Sequence, residues 1–339
     1  MTTSEPASTL GNALVVVNDE PYRFWEWDLK KRNVEFLDGI DPEYFTFLLE
    51  GFEAAEDVKR ASVGVRTTLH HSLETLFSLL GALLQSPSCV YGWLSRCSTP
   101  SLREVTRRIA AKDRSLFRVW RISAPSWEEL ATLVFRNYES GTEKQERTMK
   151  LFAVLWARLA HEFVNEDHID EYNSIKHGFR VRAGGFTLRM APEREKGQPA
   201  KEEDMQTLGS SEYGCTFLRV TRLGAEGSRN LRSRSVSMNW HFEKDLLLTQ
   251  LAAMSIQNAV SSLRIFNGVP PERVRFERPE NDEDFDRPWG LARGVFRSRF
   301  DFNINEESIP HITRQDLLED MAKIMDKVKD SPPADNLQD

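Results

Sequence analysis

The sequence predicts an α-rich α+β fold, in which a helical bundle carries an inserted small antiparallel β-sheet. Apolar residues recur at three- and four-residue spacing over much of residues 41–177 and again over 241–268. Alternating apolar and polar residues instead mark a central segment at about 178–238. Because the last long helix needs partners for its apolar face, the helices on both sides of this segment are expected to pack together.

The composition is that of a globular protein with ample length for a buried core. The chain has 339 residues, of which 40% are apolar, and a net charge of −7, which gives no general attraction to nucleic acid. Its three cysteines form no CxxC pair and are typical of reduced thiols, so a cytoplasmic location is expected. Residues 1–21 lack the features of a signal peptide, and the apolar stretch 73–85 is too short to span a bilayer, so no membrane partner is expected.

Residues 1–40 are predicted to be a tail followed by short strands. The first 12 residues are rich in Ser, Thr and small residues, which favours disorder. The stretch ALVVVNDEPYRFWEWDLKKRNVEFLDG then alternates, with KKRN as a turn before a strand at VEFL.

A helical bundle domain is predicted over residues 41–330. Helices are expected at 41–60, 63–85, 100–113 and 126–141, and a long one at 144–178 with a possible break near Asn165–Asp167. Within the β-rich insertion, Gly184-Gly185 predicts a hairpin over 179–190, and further strands are expected at 213–224 and 230–240. A helix at 241–268, a strand at 294–304 and an amphipathic helix at 313–330 follow, and residues 331–339 are expected to be a disordered tail.

The stretch DEYNSIKHGFRV, residues 170–181, concentrates groups that transfer protons or bind phosphate. Continuing the apolar face of the long helix by 100° per residue leads to polar residues, among them Asn173 and His177. Either the helix breaks near Asn165 and buries another side, or a polar cluster forms a site inside the bundle. In the second case His177 is the acid/base with Asn173 orienting it, and Lys176 or Arg180 binds phosphate. The alternative is that His177 only caps the helix end.

The segment YNSIKHG, residues 172–178, resembles the Asn-x-x-Lys-His segment of the HEPN-like helical-bundle family of bacterial proteins. In the ribonuclease members an Arg precedes the polar residue, and Tyr172 stands at that place here. The resemblance implies a bacterial cytoplasmic protein that binds or processes RNA or nucleotide in a defence or toxin–antitoxin setting. It also implies a homodimer with a composite cleft.

Two further arginine patterns are candidates for contact with nucleic acid. Arg66 and His71 fit an Arg-x(4–6)-His pattern inside a predicted helix and are a second candidate catalytic pair. The basic segment 96–121 interleaves arginines with aromatic residues, which suits phosphate contact and base stacking. Its candidate phosphate ligands are Arg103, Arg107, Arg108, Arg114 and Arg118. The alternative is that these arginines pair with the acidic run at 277–286.

Two other function classes remain open on the sequence. A noncatalytic helical protein-interaction module would use the polar cluster only structurally. A metal-dependent helical-bundle enzyme would use His70 or His71 with Glu74, which share a helix face, and His161 and His168 from another helix. No full ligand set is present in the pattern, so no metal ligand is assigned and no cofactor is expected.

Overall fold

The computed structural model describes residues 10–177, 180–194, 197–198, 200–224, 226–291, 295–300 and 304–329, and it confirms the α-rich α+β class. The helices are α1 (Leu29–Asp38), α2 (Glu43–Glu53), α3 (Val58–Gln85), α4 (Val90–Arg96), α5 (Thr99–Ala110), α6 (Trp127–Val134), α7 (Glu143–Val164), α8 (Glu166–Lys176), α9 (Phe242–Phe266), α10 (Arg287–Leu291) and α11 (Arg314–Lys329). The strands are β1 (Leu10–Val17), β2 (Glu20–Trp27), β3 (Val181–Ala183), β4 (Thr187–Met190), β5 (Gln206–Ser210), β6 (Gly214–Arg222), β7 (Leu231–Asn239) and β8 (Arg297–Phe300).

The N-terminal hairpin closes earlier than the sequence predicts. β1 and β2 pair antiparallel around a two-residue turn at Asn18 and Asp19, and Asn18 has the positive φ of 58° that such turns require. The predicted turn at KKRN and strand at VEFL are therefore wrong, because this stretch forms α1. The helix buries Leu37 completely, so the apolar residue reaches the core at helical rather than strand spacing.

The helical core is built around α3, which is buried over nearly its whole length. α9 packs along α3, as the sequence predicts for a helix with a wide apolar face. α7 completes the layer, and its Trp156 donates a hydrogen bond from Nε1 to Ser255 Oγ of α9 at 3.0 Å. Both side chains are fully buried, so this bond also fixes the register of α7 against α9.

The central segment forms two antiparallel sheets. One has the strand order β3-β6-β7-β8, so a strand that follows α9 in the chain completes it, and the other pairs β4 with β5. The hairpin predicted around Gly184-Gly185 is wrong, because β3 and β4 pair with different strands. Gly185 lies so close to the carbonyl oxygens of Ser211 and Tyr213 that a side chain would not fit there. The chain runs alongside these residues at this point and does not form a hairpin.

The predicted break in the long helix is confirmed at Asn165. α7 ends at Val164, and Asn165 has extended backbone dihedrals and caps α8 by accepting a hydrogen bond from Asp167 N at 3.0 Å. The break turns α8 so that it contacts α3, α7 and β6. α8 thus lies at the junction of the helical core and the four-stranded sheet.

Among the described helices, none is by itself long and apolar enough to cross a bilayer. α3 and α4 reach that length and composition only as a pair, and the pair bends by 117°.

Candidate functional site

A buried cluster of charged side chains lies where α8 meets α3, α9 and β7. Its centre is Glu171 of α8, which is fully buried. Arg66 of α3 donates from Nε to Glu171 Oε2 at 2.9 Å, and its NH1 group lies 3.2 Å from Asp245 Oδ1 of α9. His70, one turn further along α3, contacts the same Glu171 oxygen through Nε2 at 3.0 Å. Trp240 donates from Nε1 to Glu171 Oε1 at 2.5 Å.

This environment shifts the pKa of each acid and of the imidazole. Burial alone would raise the pKa of Glu171, but the charge of Arg66 and the hydrogen bond from His70 outweigh it and hold the pKa well below its usual range. Burial lowers the pKa of His70 to about 4, although the hydrogen bond to Glu171 opposes the shift. Burial also raises the pKa of Asp245, because Arg66 compensates only partly and Glu171 repels. Glu171 is therefore ionised at neutral pH while His70 is neutral with its proton on Nε2.

A second group of charges lies beside this cluster and includes a carboxylate–imidazole pair. His168 Nδ1 of α8 lies 3.1 Å from Glu162 Oε2 and 3.2 Å from the Glu162 carbonyl oxygen, both on α7. Because both contacts are oxygens, Nδ1 carries the proton and Nε2 of the neutral ring keeps its lone pair. Lys244 Nζ lies 3.3 Å from Glu162 Oε1 on the other side. Burial would raise the pKa of Glu162, but the hydrogen bond from His168 and the charges of Lys244 and Arg66 lower it well below its usual range.

These residues line a cleft between the helical core and the sheet, which we call the histidine cleft. Its cavity volume is about 230 Å³. The lining residues are Arg66, His161, Glu162, Asn165, His168, Met238, Asn239, Trp240, His241, Lys244, Asp245 and Phe296. His241 caps α9 by accepting a hydrogen bond from Lys244 N at Nδ1, at 3.3 Å, so its neutral ring carries the proton on Nε2. The cleft thus holds three imidazoles beside one lysine and one arginine.

Ion pairs fasten α8 to the sheet and so fix the position of His168. Asp167 bonds to Arg297 and Arg299 of β8, and Arg219 of β6 lies 2.8 Å from Asp170. Asp167 is buried, and it lies one residue before His168. The ring of His168 is therefore held from the helix side by Glu162 and from the sheet side through its neighbour.

The structure separates the catalytic residues that the sequence suggests. Arg66 is buried in the charged cluster, whereas His71 is exposed with its ring 5.5 Å from the ring of Phe45. Asn173 is half-buried near the end of α8, and His177 is exposed at its C-cap, where its backbone N–H bonds to the Asn173 carbonyl oxygen at 3.0 Å. Among the described residues, no side-chain hydrogen bond or ion pair joins Arg66 or His71 to Asn173 or His177.

The two predicted phosphate ligands near His177 are both exposed. Lys176 lies 3.8 Å from Glu74 Oε2 and 5.3 Å from the ring centre of Tyr172. Arg180 bonds through its backbone N–H to the Ser174 carbonyl oxygen at 2.7 Å. Lys176 therefore already has an anionic neighbour, Glu74 of α3.

The basic segment at 96–121 is largely occupied by intramolecular contacts. Arg108 bonds to Asp113 and to Asp19, both at 2.7 Å, rather than to the acidic run at 277–286. Arg118 donates to backbone carbonyl oxygens of its own loop, and Arg103 lies over the ring of Phe163. The other two candidate phosphate ligands of this segment, Arg107 and Arg114, are exposed on the surface.

The histidine pattern that suggested a metal site has another explanation in the structure. His70 bonds to Glu171, and Glu74 accepts from Thr99 at 2.9 Å and from Tyr172 at 3.3 Å. Over the residues that the structure describes, no group of three or more His, Cys, Asp or Glu is arranged to hold a metal ion.

The sequence reasoning missed Glu171 and Glu162 as site residues, and it named His168 only as a candidate metal ligand beside His161. Glu171 stands within the quoted stretch, but the projected face of an unbroken helix did not include it. The signal was present in α8 itself, since Asp167, Glu171 and Ser174 recur at helical spacing and are all buried. A separate projection of α8 would have placed polar side chains on its buried face.

Neither a protein-family model, nor a curated protein, nor a solved structure matches this chain. The functional argument therefore depends on the geometry of the cleft.

Proposed function

We propose that this protein binds RNA in the histidine cleft and cleaves it without a metal ion. The observation that supports this most is the Glu162–His168 pair, whose Nδ1–Oε2 distance is 3.1 Å on the wall of a cleft that holds two further imidazoles. A carboxylate that accepts from Nδ1 fixes the tautomer in which Nε2 can take up a proton. His168 is therefore suited to act as the general base.

The other cleft residues supply the remaining parts of an RNA transesterification. Nε2 of His168 accepts the proton of a ribose 2′-hydroxyl, and the 2′-oxygen forms a bond to the adjacent phosphorus. The bond from phosphorus to the 5′-oxygen breaks, and that oxygen takes a proton from a protonated imidazole of His161, because Nδ1 of His241 is occupied in accepting from Lys244 N. Lys244 lies beside Glu162 and provides positive charge for the phosphate oxygens. The products are a 2′,3′-cyclic phosphate and a free 5′-hydroxyl, so no oxidant or water is consumed in this step.

The reaction chemistry favours RNA over DNA. The nucleophile in this scheme is the 2′-hydroxyl of the substrate, which DNA lacks. The described part of the chain contains no arrangement of ligands for a metal ion that would activate water instead. A site with imidazoles and a lysine is sufficient when the substrate carries its own nucleophile.

The HEPN-like resemblance supports the same substrate class but points to a different histidine. That resemblance depends on His177 at the exposed end of α8, whereas the cleft contains His168 near the start of the same helix. Arg66 and His71 do not share the cleft, because His71 is not among its lining residues. The two placements of the site make opposite predictions for two single substitutions.

The experiment compares His168→Asn with His177→Asn, two changes of the same kind on one helix. Asparagine keeps a hydrogen-bond donor towards Glu162 but cannot accept the proton. We expect the first change to reduce RNA cleavage in EDTA by about 100-fold or more, which is the usual contribution of a general base. The second should leave the rate within about 2-fold, and the melting temperatures of both variants show whether the fold persists.

The outcomes separate the hypotheses. Loss of cleavage in His177→Asn with normal activity in His168→Asn would assign the site to the HEPN-like segment and refute the cleft mechanism. If the unaltered protein neither cleaves nor binds RNA at low salt, the enzymatic proposal fails and a noncatalytic interaction module is left.

A further inference from the structure

The C-terminal helix α11 lies exposed on the surface of the described protomer. Every residue from Arg314 to Lys327 is exposed. Helices shorter than about 15 residues are marginal in water when isolated, and most helical stability in proteins comes from tertiary packing of an apolar face. α11 has 16 residues, close to this limit, so we expect packing of its apolar face to supply most of its stability.

One exposed face of α11 is apolar and suits packing on another surface. Large apolar side chains recur at three- and four-residue spacing along one side of the helix and are between 41% and 61% exposed. They are Leu317, Leu318, Met321, Ile324 and Met325. This stripe is about 100° wide, which is broader than the seam of a two-stranded coiled coil and suits packing on a broad surface.

The chain presents a second apolar surface on the outer face of the four-stranded sheet. Leu218 and Val220 of β6 and Leu231 of β7 are 62%, 56% and 67% exposed. The strand register places all three on the face opposite to buried Phe217 and Val236. Their cross-strand neighbours on β7 are small, since Ser235 lies beside Leu218 and Ser233 beside Val220. The result is a ridge of apolar side chains next to a shallow trough, which we call the outer sheet face.

We propose that α11 of one protomer packs on the outer sheet face of a second copy, and the reverse, to form a two-fold symmetric homodimer. A symmetric dimer requires two complementary surfaces on the same chain, and an apolar helix and an apolar sheet face provide them. The eight exposed apolar side chains offer on the order of 800 Å² per protomer, the size of a standard interface. Arg182 and Arg222 lie on the same side of the sheet as these apolar residues and border the surface that α11 would cover.

The segment before α11 favours a second copy over the protomer's own sheet. Ile312 accepts a hydrogen bond from Arg229 N at 3.0 Å, and Pro310 accepts from Asn230 Nδ2 at 2.5 Å, which fixes this segment to the loop between β6 and β7. Thr313 follows at once and caps the helix, with Asp316 Oδ2 accepting from its backbone N–H at 2.7 Å. The start of α11 is thus fixed beside this loop, and the exposure of its apolar side chains means that it does not cover its own sheet.

Two substitutions and one control test the interface in the full-length chain. Ile324→Glu places a charge in the helix stripe, and Leu218→Glu places one in the outer sheet face. Lys323→Glu introduces the same side chain on the opposite side of α11. We expect light scattering at tens of micromolar to report a dimer for the unaltered chain and for Lys323→Glu, and a monomer for the other two. All three sites are exposed, and circular dichroism verifies that each variant is folded.

A crosslink distinguishes the second copy from the same chain. Met321→Cys and Val220→Cys are introduced into separate chains, which are then mixed and oxidised. A disulfide-linked dimer that forms only in the mixture supports the proposal, and each single variant alone controls for the native cysteines.

Four results would overturn it. They are a monomeric unaltered chain, a dimer that survives Ile324→Glu, a dimer that survives Leu218→Glu, and a mixture of the two cysteine variants that forms no disulfide-linked dimer. None of these results depends on RNA cleavage, so the interface and the proposed function fail separately.

Discussion

Glu171→Gln is expected to destabilise the fold far more than an ordinary surface change. The carboxylate accepts hydrogen bonds from Arg66, His70 and Trp240 at 2.5–3.0 Å and is fully buried. Glutamine has nearly the same shape, but its amide group points donors at donors and removes the charge opposite Arg66. Breaking a buried ion pair by removing one partner costs about 3–5 kcal/mol, because the other charge stays buried without compensation. Arg66 keeps Asp245 as a partner at 3.2 Å, so we expect a loss near the lower end of this range in the free energy of unfolding.

Asp170→Asn is the matched control, since it removes a carboxylate from the preceding residue of the same helix. Asp170 pairs with Arg219 at 2.8 Å, but its side chain is 29% exposed and solvent screens the pair. This change should cost about 1 kcal/mol or less. Urea unfolding followed by tryptophan fluorescence measures both values, with Trp240 as a reporter inside the cluster. Equal costs for the two variants would refute the conclusion that Glu171 organises the junction.

Two further predictions concern acid stability and backbone packing. The pKa of His70 is about 4 in the folded protein, against the ordinary value of 6.5 in the unfolded chain. Below pH 6.5 the unfolded state therefore binds more protons than the folded state. Stability should therefore drop by on the order of 3 kcal/mol between pH 6.5 and pH 4, and His70→Gln should remove this part of the slope in urea titrations. Gly185→Ala should destabilise by about 2 kcal/mol or more, because the added Cβ would lie 2.3 Å from the Ser211 carbonyl oxygen. Gly51→Ala at an exposed position of α2, where no atom lies within 4 Å of the added Cβ, should instead stabilise by about 0.4–1 kcal/mol. A thermal melt in which both changes behave alike would contradict this explanation.

The sequence predicts the helices better than the connections between the strands. Long apolar stripes such as that of α3 identify their helices, because the buried face repeats over many turns. The placement of β3 and β4 depends on the close approach of Gly185 to the connection between β5 and β6, about 26 residues later, and local turn patterns carry no information about that approach. The prediction for α1 failed for a similar reason. The hairpin already turns at Asn18, so the later residues of α1 are not needed for a strand and form a helix.

The candidate site could be predicted only in part for the same reason. The stretch around Glu171 was recognised as polar and unusual, and the break at Asn165 was located. The partners of Glu171 come from positions 66, 70 and 240, and no sequence spacing specifies that these meet. An exposed histidine next to a helix end, such as His177, has a recognisable local pattern, whereas His168 gains its chemistry from Glu162 across a helix break.

The buried charges and the histidine cleft depend on each other physically. Arg66 influences both the buried cluster and the cleft, because its positive charge helps to keep Glu171 and Glu162 ionised. An ionised Glu162 accepts from His168 Nδ1, and this contact is what leaves Nε2 with its lone pair. Burying this many charges brings little net stability, since the cost of desolvation offsets most of the attraction between them. Their arrangement is better explained by the orientation that they impose on one imidazole at the edge of the cleft. In the proposed mechanism Arg66 is therefore a positioning residue, and it acts without His71, which does not line the cleft.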